Sequence, residues 1–268
     1  MQTTSSLARN FKLISTLHDL IYYRHRNPPE HFNVVIKVIW LLFHTVYWPQ
    51  RVLLNNADSV VTVSETTKKQ MLEHRLTKRE ITVIHNAAEP CEFVERKNRS
   101  GSKDLVYMGS FIGYKNVETL VRGMGELPDH RLLLTSRISE RRKKALQKLA
   151  DEVGANLVFL NGVSDEEYFG LLRNSKALVT ASLDEGFGIP LVEAMERSTP
   201  VITSDIEIFE EVAGPAGLRF SPKDSHDFAN QVRALSDPDF WQQLSDASLL
   251  QADEFTWPNS AAQLLALA

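Results

Sequence analysis

Glu185 and Glu193 stand with seven residues between them in the stretch DEGFGIPLVEAME, Asp184 to Glu196. A carboxylate accepts two hydrogen bonds in one plane, and the vicinal hydroxyls of a sugar offer two donors at matching spacing. Between the two acids, Gly186 and Gly188 let the backbone approach a ligand closely or take positive φ. Pro190 suits the first turn of a helix. A helix opening at Ile189 or Pro190 would turn its free N–H groups toward the loop, a setting that favours an anion. Two acids around such a turn fit a nucleotide sugar, with one acid for the ribose, one for the transferred sugar and the diphosphate between. A plainer reading also fits. A glutamate in a helix's first turn is favoured by the macrodipole by about 0.3–1 kcal/mol with no ligand at all. These residues alone leave both readings open.

The elements around the pair say where it sits. ALVTAS (177–182) reads as a strand, and open α/β sheets bind ligands outside the carboxyl ends of their strands. Five more short apolar runs keep it company: LVYMGS, RLLLTS, NLVFLNG, PVITSD and GLRFSP. Helical patterns separate them, near Asn116–Glu126, Ser139–Val153, Asp165–Asn174, Pro190–Arg197, Glu207–Val212 and Ser225–Leu235. Strand–helix alternation of this kind predicts a parallel, doubly wound sheet. Earlier in the chain FKLIST (11–16), SVVTVS (59–64) and ITVIHN (81–86) read as buried strands. A helical stretch opened by Pro28-Pro29 lies between the first two, and Ser64 is placed to cap a helix through His74. Glu89–Asp104 is polar and ends in Gly and Ser, which predicts a linker. FTWPNSAAQLL predicts a closing helix. The expected division is 1–97, 98–254 and a terminal helix over 255–268.

Composition narrows the class. The 268 residues are 43% hydrophobic and 24% charged, with a net charge of −4, which argues against a general nucleic-acid binder. One cysteine, Cys91, excludes an intrachain disulfide and a cysteine metal cluster. The apolar run Asn33–Trp48 is interrupted by Lys37 and His44 and is shorter than the ~20 residues of a spanning helix. A buried helix is its plainer reading; a helix lying against a membrane surface is the sharper one.

EGFGIPLVEAM closely resembles the signature of family 4 retaining glycosyltransferases of the GT-B fold, which pairs two Rossmann-like domains. VTVSETTKKQML with ITVIHNAAE resembles the end of that family's first domain. LVYMGSFIGYKNVETLVRGM resembles the first strand–loop–helix of the second. The resemblance implies roles. Glu193 would hold the nucleotide ribose. Glu185 would contact the donor sugar, and Gly186, Phe187 and Gly188 would supply backbone donors. Lys115, beside the loop of Gly109 and Ser110, would grip the diphosphate and stabilise the leaving group without a metal. Val163 and Ser164 would present backbone to the base. His18, at the end of the first strand, would face the sugar and polarise the reacting centre.

The implied reaction is transfer of a sugar, mannosyl or glucosyl, from a GDP- or UDP-linked donor to the hydroxyl of a sugar or lipid-linked acceptor. It proceeds with retention through same-face attack, and needs no cofactor besides the donor. The implied setting is cytoplasmic, at the inner face of a membrane if Asn33–Trp48 lies on one. Two departures stand out. The arginine common soon after Gly109 is missing, since Ser110, Phe111 and Ile112 follow; Arg137 is the candidate to replace it. Nothing before Phe11 encodes the family's opening strand and glycine-rich loop, so the first domain is expected to be truncated. A partner chain or oligomer would then complete it. The alternative is a nucleotide-sugar-binding fragment without catalysis of its own.

Overall fold

The computed structural model describes residues 11–28, 32–91 and 97–267. The polar start of the chain, Pro29 and residues 92–96 of the expected linker lie outside them. Two units emerge. One takes the chain up to Asn86 with Glu185–Phe187 and Trp257–Ala268; the other takes Ala87–Asp184 and Gly188–Thr256.

In the first unit the β-branched runs form β1 (Ile14–Leu17), β2 (Ser59–Thr62) and β3 (Ile81–Val83), a parallel sheet in that order. Between β1 and β2 lie α1 (Ile21–Arg24), α2 (Val34–Thr45) and α3 (Trp48–Asn55). α4 (Glu65–Glu73) follows β2 and opens where the sequence predicts, with the Ser64 hydroxyl accepting the Thr67 N–H at 3.1 Å. The apolar run Asn33–Trp48 departs from its plainer reading. It is not a buried helix: α2 has no buried residue, and Val34, Val35 and Leu42 are 77%, 67% and 64% exposed. The apolar residues recur at nearly every position, so no one face of the helix can hide them all. Among the described residues no helix is long and apolar enough to cross a membrane.

The second unit holds six parallel strands: β4 (Asp104–Tyr107), β5 (Arg131–Leu134), β6 (Leu157–Phe159), β7 (Ala177–Thr180), β8 (Val201–Ser204) and β9 (Gly217–Phe220). Their order is β6-β5-β4-β7-β8-β9. β4 and β7 are neighbours in the sheet but not in the chain, so the winding reverses between them. Such a reversal opens a crevice at the carboxyl ends of the two strands. α5 (Val117–Met124) packs against both α6 (Glu140–Val153) and α10 (Ser225–Ala234), and all three bury side chains in the sheet's apolar core. α7 (Asp165–Asn174), α8 (Ile189–Met195), α9 (Glu207–Ala213) and α11 (Pro238–Ala252) form a second packed group. The sequence reading passed over α11, although Asp237 caps it and Pro238 opens it. α12 (Trp257–Leu265) closes the chain and groups with the first unit.

The linker reading also fails at its far end. Arg99 is 5% exposed, lies over the Trp241 ring and donates to the backbone carbonyls of Arg173 and Ser198. A buried guanidinium needs such partners to offset its lost hydration, and these anchor the segment to the second unit.

Candidate functional site

The chemistry-bearing residues of the second unit gather at the carboxyl rim of its sheet. After β4 the chain runs through Gly109–Ile112 into a single 3-10 turn, Gly113–Lys115, which delivers Lys115. Asn116 ends that turn in the left-handed region, at φ +51°, where a short polar side chain is tolerated. Its amide donates to the carbonyls of Ala181 at 3.1 Å and Pro222 at 2.7 Å. The Leu183 N–H donates in turn to the Tyr114 carbonyl at 2.7 Å. The loop after β4 and the loop after β7 are therefore tied together across the point where the sheet reverses. Lys115 sits on the first loop, and the second leads to Gly188 and α8.

Gly188 opens α8 at φ +107°, and a Cβ there would come within 3.1 Å of Phe209 and 3.3 Å of Leu191. Gly188→Ala is expected to cost about 1–3 kcal/mol, the usual penalty of a strained left-handed residue. A lowered thermal midpoint in calorimetry checks this.

One turn into α8, Glu193 is half-buried. Burial pushes its carboxyl above the ordinary range; the Tyr168 hydroxyl and the Arg197 guanidinium offset part of that rise. Tyr168 is itself buried, and its hydroxyl sits well above the usual phenol value through burial and the nearby Glu193 charge. Arg197 stacks 3.5 Å over the Phe169 ring and donates to the Glu193 carbonyl at 2.8 Å. These contacts fix the helical turn that carries the acid.

The other expected contacts are distributed as follows. Gly109 donates its N–H to the Ser136 hydroxyl at 3.2 Å, and the Ser110 carbonyl accepts from the Tyr107 hydroxyl at 2.6 Å. Val163 precedes Ser164, whose N–H and hydroxyl both donate to Glu167, forming a capping box at the start of α7. Those two donors of Ser164 are thus engaged within the protein. Arg137 is exposed and lies against Gly162, where a Cβ would meet its Cγ at 2.9 Å. That places Arg137 at the loop after β6. An arginine that does reach the Gly109–Ile112 loop is Arg142 on α6, which donates to the Phe111 carbonyl at 2.9 Å.

In the first unit His18 follows β1 and is exposed. Glu185, Gly186 and Phe187 group with this unit. The Gly186 carbonyl accepts from the Ser64 hydroxyl at 3.1 Å, and a Cβ on Gly186 would come within 2.9 Å of both the His18 carbonyl and the Asp19 side chain. Only glycine allows that approach. Among the described residues no cluster of His, Cys, Asp and Glu is set up for a metal ion.

A parallel sheet whose order reverses beside a lysine turn and a half-buried glutamate defines an open, doubly wound α/β unit with a crevice at the carboxyl ends of its strands. Residues 91–248 match the family of glycosyl transferases group 1, and the chain belongs to it. Residues 3–90 match glycosyltransferase family 4. The O-antigen chain mannosyltransferase RfbU of Salmonella typhimurium is 28% identical over 91% of this chain and 64% of its own length. The serotype-specific mannosyltransferase WbdA of Escherichia coli is 24% identical over 82% of this chain and 29% of its own. The chain thus spans about two thirds or less of these relatives. Among solved structures, sucrose-phosphate synthase from Thermosynechococcus elongatus superposes with a TM-score of 0.76 at 23% identity, over 97% of this chain and 67% of that one. Anabaena HepE, solved with UDP and glucose, gives 0.71 at 18%, over 95% and 71%. The fold is the expected α/β class of parallel, Rossmann-like sheets seen in GT-B glycosyltransferases.

Proposed function

We propose that the second unit binds the nucleoside diphosphate of a sugar donor, and that the whole protein transfers the sugar to an acceptor hydroxyl with retention. One observation carries the reading: the Lys115 turn and the loop leading to Glu193 are hydrogen-bonded together at the crevice between β4 and β7. Glu193 accepts the ribose hydroxyls, and Lys115 neutralises the diphosphate as it leaves. The acceptor oxygen attacks the anomeric carbon on the face the diphosphate departs from. The new C–O bond forms as the C–O bond to phosphate breaks, and the acceptor proton passes to the departing phosphate. His18 and Glu185 orient the sugar. Lys115 supplies the cation, so the proposed step needs no metal. Relatives named as mannosyltransferases favour mannose as the sugar.

Calorimetric titration with GDP and UDP tests the binding half. The expected result is saturable binding of one of them, weakened by Lys115→Met; heat from neither nucleotide would overturn the reading. A transfer assay with GDP-mannose and UDP-glucose then separates an enzyme from a binding module.

A specific observation favours a membrane-borne acceptor. Beside the exposed face of α2 lies an apolar cavity of about 430 Å³, lined by Ile36, Ile39, Trp40, Phe43 and Tyr23 and reaching His18. Residues 1–86 also carry eleven lysines and arginines against six acidic residues, inside a chain of net charge −4. Apolar surface combined with positive charge is what attracts a helix to anionic lipid. Co-sedimentation with phosphatidylglycerol vesicles is expected, falling with salt and with Val35→Glu. Equal recovery with phosphatidylcholine vesicles would rule against it.

A further inference from the structure

The loop that replaces the family's missing arginine is held by a residue from outside it. Arg142, in the first turn of α6, donates its Nε to the Phe111 carbonyl at 2.9 Å. Its Nη1 pairs with Glu118 at 2.6 Å. Phe111 lies four residues before Lys115, and Glu118 lies three after it. One guanidinium therefore grips both flanks of the turn that presents the lysine. A planar fork with donors at fixed angles can bridge two such anchors, whereas a lysine ammonium acts as a point charge.

The rest of the neighbourhood is consistent with a purpose-built clamp. Burial pushes the Glu118 carboxyl up, but the hydrogen bond from Arg142, a backbone hydrogen bond and the charges of Arg142 and Arg122 together leave it below its ordinary value. The third nitrogen, Nη2, is buried and has no hydrogen-bond partner among the described residues. The segment is also held through Asn116 to Ala181 and through Tyr107 to the Ser110 carbonyl. Removing Arg142 would leave the Phe111 carbonyl and the Glu118 carboxylate without this shared partner, and would loosen the link between the turn and α6.

We infer that Arg142 is a positioning residue for the donor diphosphate, setting the Gly109–Lys115 segment so that Lys115 meets the phosphates. This rests on the reading of Lys115 as the diphosphate cation. Arg142 acts through the turn, so its loss should be felt by ligands that reach Lys115 and not by those that stop short of it.

The test is titration of Arg142→Met, Glu118→Gln and Lys115→Met with GDP and UDP beside GMP and UMP. Arg142→Met is expected to weaken the bound diphosphate about fivefold to tenfold and the monophosphate less than twofold. Glu118→Gln, which keeps shape and removes charge, should weaken the diphosphate about twofold to threefold, and it carries the test if Arg142→Met fails to fold. In turnover, kcat should fall more than KM for the donor rises, the split expected of a residue that acts through Lys115. Equal losses for mono- and diphosphate would assign Arg142 a merely structural role and overturn the inference. So would unchanged diphosphate affinity in both clamp variants while Lys115→Met weakens it. If Lys115→Met itself binds normally, the underlying reading fails, and the clamp's role with it.

Discussion

Glu193→Gln is expected to weaken nucleoside diphosphate binding by roughly 10- to 100-fold while leaving the protein folded. Hydrogen bonds to a charged group contribute about 1.5–3 kcal/mol each, and about 1.4 kcal/mol is a factor of ten. The variant keeps one acceptor oxygen and loses the charge, so at least one ribose hydroxyl loses its partner. Stability should move the other way. Burial holds the Glu193 carboxyl above its ordinary value, so between the unfolded and folded values the folded state binds the extra proton. Stability therefore declines as pH rises through that window and stays lower above it. Glutamine has no proton to lose, so at neutral pH its thermal midpoint should equal or exceed the parent's. The same titration weakens nucleotide binding in the parent as pH falls, because the neutral acid accepts poorly. A 2′-deoxynucleotide gives the control: it should bind the parent more weakly than the ribonucleotide and bind the variant about equally. Undiminished binding by Glu193→Gln would remove the ribose from this residue.

How far the chain could be read in advance differs from element to element. The six strands of the second unit were legible because each is a short β-branched or leucine-rich run ending in a small or polar residue. Their order was legible only as a class, since spacing does not say which strands are neighbours. Glu193 stands out through its spacing from Glu185, and Lys115 only through the family resemblance. Asn116 stands beside Lys115 in the sequence, but its part in tying two loops appears only when Ala181 and Pro222 are brought to it. Arg142 had no signal at all. It lies in the basic run ERRKKALQK, where five cations look alike, and only the fold picks out the one that turns inward toward Phe111 and Glu118. α11 was missed because its serines and glutamines blur the apolar period, although Trp241, Leu244 and Ala252 are buried along it. The exposed α2 shows the reverse case, in which a strongly apolar sequence invites burial that the described structure does not supply.

Lys115→Met is expected to lower turnover of the whole protein by about 100- to 1,000-fold, the usual loss when a group placed to meet developing charge is removed. Breaking the bond to phosphate transfers a negative charge onto the diphosphate. The lysine is held on a turn fixed by Asn116 and Arg142, so little reorganisation is needed when that charge arrives. Binding of free diphosphate should suffer too, but by a smaller factor, because the ground-state ligand is already charged and partly hydrated. The turnover deficit should therefore exceed the affinity deficit. Lys115→Arg should recover part of the loss, since it keeps the charge on a longer, planar group. The discriminating measurement changes the leaving group. With a nitrophenyl glycoside as donor, whose leaving group carries less charge and lacks phosphates, the parent and Lys115→Met should turn over at nearly the same rate. A methionine variant that is slow with both donors would mean the turn had collapsed. One that is fast with both would mean the charge on the diphosphate is met by some other group.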